Sequence, residues 1–309
     1  MIRFKHVSKR YGDQEVLSDL NMTIQKGEFL VLVGPSGCGK TTTLKLMNRL
    51  IPLTGGSIEI DERNIETLEV ESLRWNMGYV LQQIALFPHM TIEENIALVP
   101  QMKKWSNEQI KTRVQELMAL VGLPYEEYHQ RYPDALSGGQ QQRIGVARAL
   151  AADPDILLMD EPFSALDPLS REKLQDELLD IQANIQKTIV FVTHDMNEAL
   201  KLADRICLLN DGAIEQMGTP QQFYETPKND FVKQFMQRKK VTVKQLMKPG
   251  ISMEAPTIPS STDVEELLHL LTNTSLVHVI ENGQKIGTIE REHAFRQLGH
   301  YLDGRGDVS

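Results

Sequence analysis

The chain has 309 residues, of which 41% are hydrophobic and 24% charged, and it carries a formal net charge of −9. This length exceeds one typical domain and the apolar share can fill a substantial core, which excludes disordered and fibrous classes. The acidic balance removes the basic surface that non-specific nucleic-acid binding needs, so no nucleic-acid partner is expected.

Residues 2–7, 16–24 and 57–60 read as an antiparallel β layer, with the turn Tyr11-Gly12-Asp13 between the first two. From there apolar, β-branched runs alternate with amphipathic stretches, the pattern of a parallel α/β sheet. Strands are expected at 29–33, 78–81, 156–159, 188–193 and 205–209, and helices at 40–50, 140–152, 170–184 and 196–203. Residues 90–133 are mostly helical in pattern and carry no parallel-strand signal, as a helical insert in the α/β core would. A helix at 230–237 precedes the basic run Arg238-Lys239-Lys240, read as a linker over 238–241.

The remaining residues, 242–309, read as a small α/β unit. A short helix is expected at 243–247 and an amphipathic one at 263–271, capped by Thr262 or Asp263. Strands at 276–280 and 285–290 flank the turn Glu281-Asn282-Gly283-Gln284, and a final helix covers 292–298. No apolar run approaches the ~18 residues of a membrane-spanning helix, and Met1-Ile2-Arg3-Phe4-Lys5-His6 lacks the apolar segment of a secretory signal. Any membrane association is therefore expected through partners. The two cysteines, Cys38 and Cys207, fit no zinc or redox spacing and read as small buried fillers.

Gly34-Pro35-Ser36-Gly37-Cys38-Gly39-Lys40-Thr41 fits G-x-x-x-x-G-K-[ST] directly after a strand and directly before a helix. The glycines let backbone N–H groups curl around an oxyanion, and the helix N-terminus adds its positive dipole end. Lys40 would reach the β- and γ-phosphates of a nucleoside triphosphate, and Thr41 would ligate Mg²⁺ through its hydroxyl. Thr42, next on that helix, joins the nucleotide-binding set. Ile156-Leu157-Leu158-Met159-Asp160-Glu161 is an apolar strand ending in two carboxylates, the end that faces the ligand crevice in such sheets. Asp160 can hold the Mg²⁺ shell and Glu161 can polarise an attacking water.

Leu136-Ser137-Gly138-Gly139-Gln140-Gln141-Gln142-Arg143 resembles the signature motif of ABC ATPases, a Gly-rich turn opening a helix and presenting N–H groups and a hydroxyl to an anion. The other family elements follow in order. Tyr11 resembles the aromatic residue that stacks on adenine, and Gln82 the glutamine that touches both Mg²⁺ and the membrane-facing subdomain, with Gln83 one residue late for that role. Ser164-Ala165-Leu166-Asp167 resembles the loop that signals across the dimer, and His194 the histidine at the γ-phosphate. The resemblance covers residues 1–237 almost continuously and implies a RecA-like parallel-sheet core with an antiparallel β subdomain and a helical insert. It also implies a head-to-tail homodimer with two interfacial ATP molecules, each between the phosphate loop of one subunit and Ser137, Gly138 and Gly139 of the other, with Gln140 and Asp167 nearby. Membrane-spanning permease subunits, and a solute-binding protein within the whole complex, would place the chain at the cytoplasmic face of the membrane.

The tail resembles one CBS module, although such modules normally pair, so its partner would be the same module of a second subunit. A bare dimerisation domain or a degenerate remnant fits it as well. ABC ATPases with CBS tails resemble importers of glycine betaine, carnitine, choline or proline, and the segment from Leu81 to Thr91 looks like that subgroup. Some such tails sense ionic strength and others bind cyclic di-AMP. The alternatives are a transporter ATPase for another polar solute or ion, a non-transport ABC ATPase of DNA repair or translation, and a scaffold that binds ATP without hydrolysing it. Intact Glu161 and His194 count against the last.

Overall fold

The computed structural model describes residues 1–82, 85–164, 166–236, 256–281, 284–291 and 293–294. Gln83, Ala165, the linker at 238–241, the short helix at 243–247, Asn282, Gly283 and most of the final helix at 292–298 lie outside the described residues. The chain divides into two compact units, residues 1–236 and 237–309.

Alternation of apolar and polar residues shapes the first layer. β1 (Ile2–Tyr11) and β2 (Gln14–Ile24) form an antiparallel hairpin, extended at the edge by β4 (Gly55–Ile60) and β5 (Arg63–Asn64) in the order β2-β1-β4-β5. Ile2, Phe4 and Val7 of β1 and Leu17, Leu20 and Ile24 of β2 are buried. The hairpin continues past the expected end at residue 7, pairing Tyr11 with Gln14 through register shifts that absorb the uneven pattern after Val7.

The central sheet has the order β10-β9-β3-β8-β7-β6. β3 (Phe29–Val33), β6 (Met77–Val80), β7 (Ile156–Asp160), β8 (Thr188–Thr193) and β9 (Arg205–Asn210) are parallel, and β10 (Ala213–Gly218) closes one edge antiparallel to β9. Both faces are covered, which is why these strands read as continuous apolar runs. Phe29, Val31 and Val33 belong to one core together with Val114 and Leu117 of the helical insert and Ile144, while Leu30 and Leu32 belong to a second core with Phe4 and Leu20 of the antiparallel layer and Leu44. Each such side chain contributes about 1.5–3 kcal/mol on burial, so β3 anchors the two cores to each other.

Helices α1 (Lys40–Met47) and α2 (Val70–Trp75) precede the insert, which holds α3 (Ile92–Met102), α4 (Asn107–Leu120) and α5 (Tyr125–Tyr128). Thr91 with Glu94 and Ser106 with Gln109 form capping boxes that start the two longer insert helices. α6 (Gly138–Leu150), α7 (Pro168–Ile185), α8 (Met196–Leu202), α9 (Pro220–Glu225) and α10 (Asp230–Met236) follow. α1 ends three residues before the expected position, because Arg49 turns to φ +52 and the Leu50 N–H closes back on the Lys45 carbonyl at 2.9 Å.

In the second unit β11 (Thr257–Pro259) pairs parallel with β12 (Leu276–Glu281), which pairs antiparallel with β13 (Gln284–Glu290). α11 (Val264–Asn273) lays Leu267 and Leu271 on Val277, Val279 and Ile289. The Leu267 N–H bonds the Asp263 carbonyl at 3.0 Å, so of the two cap residues proposed Asp263 flanks the helix.

Candidate functional site

Four neighbouring strands, β3, β8, β7 and β6, end on the same edge of the central sheet, and the segment leaving each carries polar groups there. Residues 34–39 lead from β3 into α1. Gly34 is enclosed: a side-chain carbon there would lie 2.2 Å from the Leu209 carbonyl oxygen and 2.8 Å from Cys38 Sγ. Pro35, half-buried, and Ser36 and Gly37, both exposed, form the crest of the loop, while Cys38 and Gly39 are buried beneath it. Burial pushes the Cys38 thiol above its ordinary range.

Lys40 is 5% exposed and folds over the loop, donating from Nζ to the carbonyls of Gly34 at 2.8 Å and Pro35 at 2.9 Å. α1 begins at Gly39 with no side-chain cap, whereas Ser and Thr hydroxyls or Asp carboxylates cap α3, α4, α6, α7, α8 and α9. Its first N–H groups are thus left to an anion, next to an ammonium. Thr42 lies half-buried on the same turn.

Asp160 ends β7 and is 5% exposed; its carboxylate accepts the Thr41 hydroxyl at 2.7 Å and the Tyr79 hydroxyl at 3.4 Å. Burial raises its pKa, and the Thr41 bond opposes the rise. Burial, then the charge of Asp160, pushes the Tyr79 phenol up as well. Two hard oxygen ligands, a hydroxyl and a carboxylate, fit Mg²⁺, which takes one or two carboxylates and completes its shell with water and phosphate oxygens. Among the described residues no cluster of three or more His, Cys, Asp or Glu side chains could hold a metal ion.

Glu161 takes φ +44, a conformation that strains a side-chain-bearing residue, and the bond from its N–H to the Val192 carbonyl at 3.0 Å holds it there. Its Oε2 pairs with His194 Nδ1 at 3.2 Å and lies 3.5 Å from Gln82 Nε2, at the limit of a hydrogen bond. The bond to His194 holds the Glu161 carboxyl below its ordinary value, and the same bond raises His194. The Ser164 hydroxyl closes the turn on the Glu161 carbonyl at 2.9 Å. A carboxylate kept ionised beside a protonatable imidazole, next to a phosphate cradle and an Mg²⁺-type ligand pair, can orient and polarise a water for attack on a terminal phosphate.

Sequence-expected residues 34–42, 82, 160, 161 and 194 therefore meet at one edge. Ser137 and Gln140 instead form a capping box at the start of α6, with Ser137 N–H on Gln140 Oε1 at 2.9 Å and Gln140 N–H on Ser137 Oγ at 3.3 Å. Gly138 and Gly139 lie against Leu166 and Leu174. Asp167 caps α7 through the Ser170 N–H at 3.0 Å, a bond that lowers its carboxyl. Tyr11 is 49% exposed with the Lys9 ammonium 4.7 Å from its ring centre. Among the described residues no hydrogen bond or ion pair joins Tyr11, Ser137, Gly138, Gly139 or Gln140 to the phosphate loop. Sequence reasoning assigned no role to Tyr79 or Glu198; the available signal was a polar tip in an apolar strand and an acid on the same helical face as buried Leu202, four residues on.

A family model described as ABC transporter matches residues 17–164. The osmoprotectant import ATP-binding protein OsmV of Salmonella typhimurium is 43% identical over 316 residues, an alignment covering 98% of this chain and 82% of that protein. The chain belongs to the ABC transporter family. Its similarity to other ABC transporter proteins is higher over shorter alignments. The carnitine transport ATP-binding protein OpuCA of Listeria monocytogenes is 54% identical over 237 residues, covering 76% of this chain and 59% of that protein, so the chain spans about three fifths of that relative's length. The dimeric ATP-binding cassette MJ0796, solved in a post-hydrolysis state bound to ADP and Pi, superposes with a TM-score of 0.63 at 36% identity, covering 71% of this chain and 99% of that one. The P-loop ABC fold implied by the motif order is thereby shown.

Proposed function

We propose that the chain is the ATP-hydrolysing subunit of a transporter for compatible solutes such as glycine betaine, carnitine, choline or proline, with permease subunits on separate chains. The observation that carries the ATPase reading is the Glu161–His194 pair, 3.2 Å apart beside the phosphate loop. The carnitine transport role of OpuCA and the osmoprotectant import role of OsmV, both similar to this chain, support the solute class.

In this reading Lys40 and the uncapped N–H groups of α1 bind the β- and γ-phosphates, and Tyr11 stacks on the adenine. Thr41 and Asp160, with Gln82, hold Mg²⁺. Bound with the nucleotide, Mg²⁺ supplies charge neutralisation at the phosphate oxygens. Glu161 orients the attacking water, and His194 contacts the γ-phosphate. Ser137, Gly138, Gly139 and Gln140 serve the ATP of a second subunit, so two chains and two nucleotides make the working unit, as the dimer of MJ0796 supports. Loss of the γ-phosphate removes contacts made only in the closed dimer, which then opens.

No helix among the described residues is long and apolar enough to cross a membrane. We place the chain at the cytoplasmic face, held by its permease subunits, with a solute-binding protein elsewhere in the assembly. Domain limits of 1–237 for the ATPase and 242–309 for a CBS-like tail remain part of this proposal, as does cyclic di-AMP as a ligand of the tail.

The test is uptake of labelled glycine betaine after osmotic upshift, comparing wild type with Glu161→Gln, alongside ATP hydrolysis by the purified chains. Loss of both supports the reading. Uptake retained while purified Glu161→Gln is inactive discards the solute class and leaves the ATPase.

A further inference from the structure

A carboxylate is sealed directly behind His194. Glu198, on the first turn of α8, is 6% exposed. Its Oε2 accepts the Thr193 hydroxyl, and its Oε1 accepts Gln175 Nε2 at 3.1 Å. The Thr193 oxygen in turn accepts the Asp195 N–H at 3.0 Å. The residues on either side of His194 are thus both tied to one buried carboxylate.

The other side of Glu198 faces α7. Arg171 donates from Nη2 to the Leu166 carbonyl at 3.2 Å, immediately before Asp167, and its Nε lies 3.8 Å from Glu198 Oε1. That Nε is buried and makes no hydrogen bond, so the ion pair stands short of full contact. A shift of roughly 1 Å of the first turn of α7 towards α8 would complete it. A continuous path therefore runs from the Leu166 carbonyl through the Arg171 guanidinium and the Glu198 carboxylate to the Thr193 hydroxyl and the backbone of His194.

Packing does not call for an acid at this position. A buried carboxylate is costly unless fully paired, and an apolar residue of similar volume is often as stable or more so. Here burial raises the Glu198 pKa against the Thr193 bond, the neighbouring Asp195 charge opposes ionisation, and Arg171 favours it.

We propose that Glu198 is a positioning residue for hydrolysis, transmitting movement of the Asp167 loop to the His194 imidazole through Arg171, Gln175 and Thr193. The inference rests on the ATPase reading above, in which the Asp167 loop meets the second subunit and His194 meets the γ-phosphate. Dimer closure would then set the histidine through a link inside each subunit.

Glu198→Gln tests this in the purified full chain, because it keeps size and an acceptor for Thr193 while removing the charge facing Arg171. The expected result is a fall in kcat of about 10- to 100-fold, as for a catalytic group misplaced by up to an ångström, with KM for ATP and Tm near wild type. The His194 imidazole, faced by Glu161 from β7 and by Asp195 and Glu198 around α8, should titrate at lower pH in an NMR series, because all three charges raise it. Arg171→Met should lower kcat similarly, and the double variant should be no worse than either single one. Wild-type kcat in Glu198→Gln, a kcat loss matched by a falling Tm, or losses that multiply in the double variant would each overturn the proposal. Glu161→Gln serves as the control. Hydrolysis lost there but intact in Glu198→Gln refutes the positioning role alone, whereas hydrolysis intact in both removes the ATPase reading beneath it.

Discussion

Two glycines of the phosphate loop make a matched pair for a quantitative test. At Gly37 an added Cβ meets nothing within 4 Å, but φ is +80. Gly37→Ala should therefore cost only the left-handed backbone penalty, about 1–2 kcal/mol. At Gly34 the same carbon would stand 2.2 Å from the Leu209 oxygen, more than 1 Å inside ordinary contact at 3.4–4 Å. β9 cannot recoil freely, because Leu208 is paired with Val33 in the ladder. Overpacking of this kind adds about 1–3 kcal/mol, so Gly34→Ala should lose roughly 2–5 kcal/mol in all. With a urea slope of about 3 kcal/mol per molar, the two midpoints should differ by up to roughly 1 M. Gly34→Ala should also weaken ATP binding far more, since the carbonyl that holds Lys40 moves with the clash. Titration with a fluorescent ATP analogue measures this beside the urea melts. Equal midpoints and equal affinities for the two variants would refute the claim that close approach to β9, rather than backbone conformation alone, dictates glycine at residue 34.

Ser137→Ala removes the hydroxyl half of the capping box on α6 and should cost about 1 kcal/mol, read as a small fall in Tm in the isolated chain. A second and larger deficit, in ATP-dependent dimerisation by size-exclusion chromatography, is expected if Ser137 also meets the partner's nucleotide. Thr41→Val deletes the 2.7 Å bond to Asp160 and should raise the Mg²⁺ concentration for half-maximal ATPase about tenfold. The Glu161–His194 pair gives stability a pH signature. Glu161 is held below its ordinary 4.5, so its share is present above that pH and fades as pH falls through the lowered value. His194 is held above its ordinary 6.5, so its share is present below that pH and fades as pH rises through the raised value. Tm measured from pH 4 to 9 should therefore drop on both flanks, and the flanks should flatten in Glu161→Gln.

The parallel strands were legible because burial on both faces demands unbroken apolar runs such as Phe29–Val33 and Thr188–Thr193. β10 was not, because Ala213–Gly218 is an edge strand with mixed polar residues, and β11 is only three residues long. The phosphate loop and the Asp160-Glu161 end were visible as motifs because their chemistry constrains contiguous residues. The Tyr79 bond to Asp160, the fold-back of Lys40 onto Gly34 and Pro35, and the path through Glu198 join residues distant in sequence or depend on side-chain direction, so no local pattern encodes them.

The strand order carries a consequence for synthesis of the chain. β3 lies between β8 and β9, so its first ladder partner, Ile189, leaves the ribosome about 155 residues after Val33. At ~5–20 residues per second this is a wait of roughly 8–30 s. During it the strand beneath the phosphate loop has no neighbour in its own sheet, and Phe29–Val33 is an apolar edge open to chaperones or to misplaced pairing. Transcripts broken before about codon 188 would yield fragments that carry the whole phosphate-loop sequence but neither ladder neighbour of the strand that leads into it.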